Sequence, residues 1–260
     1  EDDTNPSPDP NPNPNPNPNP SPNASSDAPQ AYSAVVAVLA KAVALNNLTQ
    51  IRQLLHSGAA DACRLYNGFT ALHVAAQRGR AEAAAELLNA GGAALADVES
   101  VPDGRTALEI ACLEGSAGVV EVLLRLPEGA IYLGHQDAAG FSAPHHAAFG
   151  GDVAVLQLLA QRFGAAPVRG CKSSEGQTPA MVAAGQGHTH VLEYLQAGDA
   201  QGEALGGSSG ADRNAVLHKA AQSGDAGAVR YLLAQGAAVD PPNKHGASPL
   251  HVAATHGHDE

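Results

Sequence analysis

The chain contains no tryptophan, a single methionine, four phenylalanines and five tyrosines. A core built on large aromatic anchors is therefore excluded, although hydrophobic residues make up 44% of the 260. Ala, Val and Leu carry that fraction, and such side chains suit close packing of short elements. Long apolar runs are also missing. The richest, residues 31–45, contains Lys41 and is too short and too charged to span a bilayer. Cysteine is scarce: Cys63, Cys112 and Cys171 are odd in number and far apart, which suggests neither a disulfide framework nor a zinc site and fits a reducing compartment. Basic charge is scarce as well, with 14 Lys and Arg against 26 Asp and Glu, a net charge of −12, and no dense basic run. Backbone-driven nucleic-acid binding needs the opposite balance, and so does attachment to an anionic membrane. The chain begins at Glu1 and its methionine is Met181, which predicts a processed product or an excised piece.

Proline is abundant at one end only. Through residues 1–32 it alternates with Asn or Ser, and five acids stand there without one Lys or Arg. Each proline removes a backbone donor and biases its predecessor away from helix, and there is little to bury, so a disordered tether is expected.

Beyond it the sequence repeats. Leu39, Leu72, Leu108, Pro144, Ala180, Leu217 and Leu250 recur at spacings of 33, 36, 36, 36, 37 and 33. The block GFTALHVAAQRG from Gly68 returns as GRTALEIACLEG, GFSAPHHAAFGG, GQTPAMVAAGQG, RNAVLHKAAQSG and GASPLHVAATHG. A second apolar segment follows each complete block, as in VVEVLLRL from Val119 and AVRYLLAQG from Ala228. The unit is thus a pair of short helices and a connector. Helices of two or three turns do not hold alone, so caps and stacking must support them. Thr70, Thr106, Ser142, Thr178 and Ser248 stand at the cap of the first helix, Pro179 and Pro249 at its first position, and a glycine at its end (Gly79, Gly115, Gly151, Gly187, Gly224, Gly257). Alanine pairs such as Ala75 and Ala76 let neighbouring helices approach closely.

A period near 33 with T-P-L-H-x-A and a following V-x-x-L-L helix resembles the ankyrin repeat, and SPLHVAA from Ser248 is the clearest instance. The resemblance covers roughly residues 33–258. It implies an all-α solenoid of paired antiparallel helices joined by hairpins or loops, with a concave binding face. It also implies that the motif histidines, His73, His145, His218 and His251, tie adjacent repeats by hydrogen bonds. Glu109 and Met181 replace that histidine in the third and fifth repeats, so weaker junctions are expected there.

Departures from the pattern shape the expected organisation. Pro144 and His146 take core Leu and Val positions, predicting an underfilled or more polar fourth repeat. The sixth lacks the turn glycine (Arg213) and the cap (Ala215), and follows a Gly/Ser-rich stretch without an apolar run. The expected units are a tail at 1–32, repeats 1–5 at 33–197, an interruption of the stack at 198–212, and repeats 6–7 at 213–260. The seventh ends before its second helix, leaving an apolar face uncovered, so the native protein is expected to continue.

No phosphate-binding loop, nucleophile elbow or zinc-protease helix appears, and no cysteine has a recurring His partner. The twelve histidines include His188 with His190, adjacent His145 and His146, and His256 with His258, but no third and fourth ligand of defined spacing accompanies them. The sequence therefore points to no catalytic, cofactor or metal site. It predicts a non-catalytic, monomeric protein-binding module; the alternative is the recognition or targeting segment of a larger enzyme, such as a ubiquitin ligase or kinase, with catalysis elsewhere. The reduced cysteines suit the cytoplasm first, and the nucleus or an organelle matrix as well. The expected binding face comprises Tyr66, Phe69, Arg105, Glu114, Phe141 and Phe149, aromatic and charged residues at positions the repeat frame does not require.

Overall fold

The computed structural model describes residues 28–58, 61–127, 129–197 and 210–258. The expected disordered tail lies outside them up to residue 27. Helix starts at Ala28, upstream of the expected first repeat boundary. Repeat 1 is α1 (Ala28–Ala44) and α2 (Leu48–His56); repeat 2 is α3 (Ala71–Gln77) and α4 (Ala81–Gly91), followed by a 3-10 segment, Ala93–Asp97. Repeat 3 is α5 (Ala107–Leu113) and α6 (Ala117–Leu124). Repeat 4 is α7 (Ala143–Gly150) and α8 (Val153–Phe163), with a short α9 (Ala165–Gly170) after it. Repeat 5 is α10 (Pro179–Gln186) and α11 (Thr189–Gln196), repeat 6 is α12 (Gly210–Ser223) and α13 (Ala226–Ala234), and α14 (Pro249–Thr255) opens the seventh. No strand occurs among the described residues, so the connectors are loops.

Two parallel layers result. First helices stack in the order α1, α3, α5, α7, α10, α12, α14, and second helices in the order α2, α4, α6, α8, α11, α13. Alanine makes the close approach possible: Ala75, Ala76, Ala111, Ala147, Ala148, Ala183, Ala184 and Ala220 are fully buried. Leu39, Leu72, Leu87, Leu123, Leu156, Leu159, Leu192, Leu217 and Leu232 fill the space between the layers. Chemistry fixes the ends of the helices. Thr70, Thr106, Thr178 and Ser248 accept from the backbone N–H three residues on, and the glycines closing the first helices have φ between +63° and +78°.

Repeat 6 differs from expectation in an instructive way. Residues 198–209 lie outside the described residues, but α12 already runs from Gly210, within the expected interruption. With neither a turn glycine at Arg213 nor a cap at Ala215, nothing stops the helix from extending upstream. α12 packs on α10 and α13 on α11, Ser223 Oγ donates to the Ala184 carbonyl at 2.8 Å, and Thr189 Oγ1 donates to Asp225 at 2.6 Å. At the far end Leu250, in the place of buried Leu72 and Leu217, is 77% exposed and lines an open cleft of about 840 Å³ with Ala220, Val229 and Pro249.

Candidate interaction surface

The connectors form turns whose ends meet. Tyr66 and Phe69 exchange backbone hydrogen bonds of 2.7 and 3.1 Å, and Ser100, Asp137, Ser173 and Asn243 each donate to a carbonyl four or five residues on, at 2.8–2.9 Å. Successive tips then join edge to edge. Val101 N donates to Gly68 O at 2.8 Å, Ala138 N to Asp103 O at 2.9 Å, and Ser174 N to Gly140 O at 3.3 Å. Among the described residues the ladder runs as far as repeat 5, and from Gly210 the chain is already helical in α12.

Motif histidines His73, His145 and His218 each tie their helix to the connector that follows. Thr70 N donates to His73 Nδ1 (2.9 Å), which leaves Nε2 as the N–H that reaches the Arg105 carbonyl at 3.1 Å. His145 repeats the arrangement, accepting from Ser142 N and donating to Gln177 O at 2.8 Å. Burial holds both imidazoles below their ordinary value, so they are neutral donors near pH 7. His218 reaches Ala247 O at 3.1 Å, but its Nδ1 faces Asn214 O inside the extended α12. His251 bonds to its own cap, Ser248, at 2.7 Å. At Glu109 the donor is lost, and the connector residue His135 bonds to it instead, Nδ1 to Oε1 at 2.9 Å. Near Met181 the contacts of Ser223 and Thr189 hold the junction.

Of the six residues expected at the binding face, Phe149 (48%) and Tyr66 (37%) are exposed large apolar side chains, and Glu114, the C-cap of α5, is exposed as well. Phe69 and Phe141 are half-buried against the core and lie edge-on or tilted to the motif histidines, with centroids 6.1 Å from His73 and 5.6 Å from His145. These two rings therefore brace the tips. Arg105 is anchored: its Nε donates to Asp137 at 3.0 Å. Sequence reading passed over other exposed apolar residues of the connectors, Leu65 (43%), Val101 (56%) and Tyr132 (74%). Their only signal was an apolar type in a turn-rich stretch, and that does not separate an exposed ring from a packed one.

Fourth-repeat polarity takes a specific form. Pro144 is buried, and buried His146 donates Nε2–H to Asp137 at 3.0 Å. Asp137 also accepts from Arg105 and from the N–H groups of Ala139 and Phe141. Although burial opposes the charge, these donors hold its carboxyl below the ordinary range. Burial pushes His146 down to about 4, outweighing the attraction of Asp137.

His188 and His190 reach back to the carbonyls of Phe149 (3.0 Å) and Gly151 (2.9 Å), and His258 to that of Gln222 (3.0 Å). They too link repeats, and no group of three His, Cys, Asp or Glu among the described residues has metal-holding geometry. Burial raises all three thiols, Cys112 well above its ordinary value and Cys171 to about 11, so they are protonated near neutral pH. No helix among the described residues is long and apolar enough to cross a membrane.

Comparison with known proteins follows the same lines. The family model Ank_2, ankyrin repeats (3 copies), matches residues 39–132 and 200–260. A transient receptor potential cation channel subfamily A member 1 homolog of Caenorhabditis elegans is 32% identical over 125 residues, which is 48% of this chain and 10% of that protein. The chain therefore spans a small part of that relative's length. Among solved structures, the ankyrin repeat domain of Bcl-3, described as a unique member of the IkappaB protein family, is similar with a TM-score of 0.64 at 24% identity, covering 83% of this chain and 92% of that one. The human ASB11 ankyrin repeat domain is similar with a TM-score of 0.65 at 24% identity, covering 83% and 90%. At that identity the likeness is one of fold. With its capped helix pairs, its ladder of tips and its histidine ties between repeats, the chain belongs to the ankyrin repeat family.

Proposed function

We propose that this chain is a non-catalytic protein-binding module that engages its partner through the connector tips and first helices of repeats 2–4. The observation that carries this reading is the backbone ladder running from Gly68 to Ser174, which fixes the tips as one surface with exposed Tyr66 on it and Arg105 at its middle, while exposed Glu114 and Phe149 stand at the far ends of first helices α5 and α7. A preordered surface loses little entropy on binding, and aromatic and Arg side chains supply interface hot spots. Ankyrin repeat domains are in general protein-interaction modules, and the same frame presents unrelated ligands, so specificity rests on these variable side chains.

The test separates projecting residues from bracing ones. Partner capture followed by mass spectrometry is compared for Tyr66→Ala with Phe149→Ala and for Phe69→Ala with Phe141→Ala. The first pair should lose capture with an unchanged melting temperature, hot-spot truncations costing about 2 kcal/mol or more each. The second pair should lower the melting temperature, since removing packed Phe costs about 3 kcal/mol when burial is complete and less here. Full capture by the Tyr66→Ala, Phe149→Ala protein would place the binding face elsewhere.

One observation favours a module within a larger chain: the Caenorhabditis elegans relative is far longer than the matched segment. On that reading, recognition resides here and any further activity, channel or enzyme, lies outside these residues. A cytoplasmic setting fits the three unpaired thiols.

A further inference from the structure

Repeat 3 carries an acceptor where its neighbours carry a donor. Glu109 is buried, 1% exposed, and its Oε2 already accepts from Thr106 N (2.9 Å) and Thr106 Oγ1 (3.2 Å). Its Oε1 faces His135 Nδ1 at 2.9 Å, while His135 Nε2 faces Glu99 Oε1 at 3.2 Å. Both ring nitrogens thus point at carboxylate oxygens, and a neutral imidazole has only one N–H. The bridge closes only if it holds one proton more than two ionised carboxylates and a neutral ring, either as imidazolium or on Glu109. The three groups come from three places: the connector after the 3-10 segment, helix α5, and the connector leading to α7. Beneath them lies a cavity of about 230 Å³ walled by Ala96, Leu108, Ile131 and Ala143.

We propose that Glu99, His135 and Glu109 form a proton-dependent clasp: protonated, it holds the 131–136 connector over repeat 3, and deprotonation releases that connector and opens the cavity. Without the proton, one ring nitrogen turns a lone pair on a carboxylate oxygen, that of buried Glu109 or that of exposed Glu99, so one of the two bonds of the bridge is lost and the half-exposed connector is held less tightly. Other titratable groups do not substitute for it. Asp97 and Tyr132 line the same cavity, no Lys or Arg does, and the Cys112 thiol on α5 is buried and protonated. On α7, His145 and His146 are committed to Gln177 and Asp137, and Arg105 to Asp137. The shifts agree with the geometry. Burial opposes the charge on His135, but Glu109 and Glu99 carry it above its ordinary 6.5, and burial raises Glu109. Both raised values mean that the folded chain binds protons more tightly than the unfolded one, so the clasp is closed below 6.5 and lost as pH rises through the folded value of His135.

The test follows the His135 ring and the backbone amides of 131–136 by NMR in the whole chain from pH 5 to 9. His135 should titrate with a midpoint above 6.5, and the connector amides should shift with that same midpoint while those at 66–69 do not. Glu99→Gln, at a side chain 59% exposed and thus tolerant of change, should lower the midpoint. Glu121→Gln, which removes an equal charge from α6, should leave it in place. Glu109→Gln should abolish the connector response if that variant folds. A His135 midpoint at or below 6.5, connector amides indifferent to it, or a midpoint unmoved by Glu99→Gln would each overturn the clasp.

Discussion

His146 occupies the position held by Val74, Ile110 and Val182 in neighbouring repeats, yet it is 4% exposed and bonded to Asp137. The imidazole stays neutral because burial penalises its charge more than the carboxylate rewards it. A folded-state value of about 4 against 6.5 has a definite linkage sign. Between those two values the unfolded chain binds the proton and the folded chain does not, so stability is complete above 6.5, falls with the pH, and levels off below about 4. The drop amounts to about 3 kcal/mol at most. His146→Val should remove it, which chemical denaturation midpoints of both proteins at pH 7 and pH 4.5 would show. An unchanged pH dependence would mean that the acid sensitivity arises elsewhere. The identity of Asp137 as the partner was not readable from the chain. The sequence marks His146 as a polar residue in an apolar slot, but Asp137 lies in a connector, and only the fold of the tip aims it inward.

At the level of the helix, two glycines in the last turns of α7 and α10 make opposite predictions. Replacing glycine by alanine inside a helix normally stabilises it by about 0.5–1 kcal/mol. At Gly185, whose nearest neighbour for an added Cβ is the flexible Lys219 Cδ at 3.9 Å, a gain should appear, at the lower end of that range because the residue is next to last in α10. At Gly150 the added carbon would run into the Leu113 carbonyl oxygen of α5, and backbone cannot yield as a side chain does. Gly150→Ala should therefore destabilise by about 1–3 kcal/mol despite the better propensity. Thermal melting of the two variants side by side checks the pair, and a higher melting temperature for both would show that α5 and α7 separate freely. Helix ends follow a similar logic. Caps at Thr70, Thr106 and Thr178 were legible because a hydroxyl just before an apolar block has one local use. The early start of α12 was not: the loss of cap and glycine is visible in sequence, but whether the chain then frays or stays helical depends on α10 beside it.

Over the whole molecule each repeat touches only its neighbours, so the stack is as cooperative as its weakest junction. Between repeats 5 and 6 Met181 stands in place of the motif histidine, and the contacts seen among the described residues are helix packing, the Ser223 to Ala184 bond, and the bond from Thr189 to Asp225. Asp225 also caps α13 through Ala228 N at 3.1 Å. Thr189→Val should remove the cross-repeat bond at a cost of about 1.5–3 kcal/mol, as for hydrogen bonds to charged groups. Repeats 6 and 7 should then melt ahead of the rest, as a second calorimetric transition at lower temperature; a single sharp transition would show that packing alone couples the two parts. The repeat period, the helix pairs, the caps and the family resemblance were all set by the sequence, because each rests on residues close in the chain acting through local geometry. The rest was decided in three dimensions. That Phe69 and Phe141 brace while Tyr66 and Phe149 are exposed, that His135 serves Glu109, and that α12 packs on α10 all depend on which side chains from different repeats arrive at one place. Residues some 30 positions apart meet only because every intervening turn, cap and helix has the right length, and no local pattern encodes that sum.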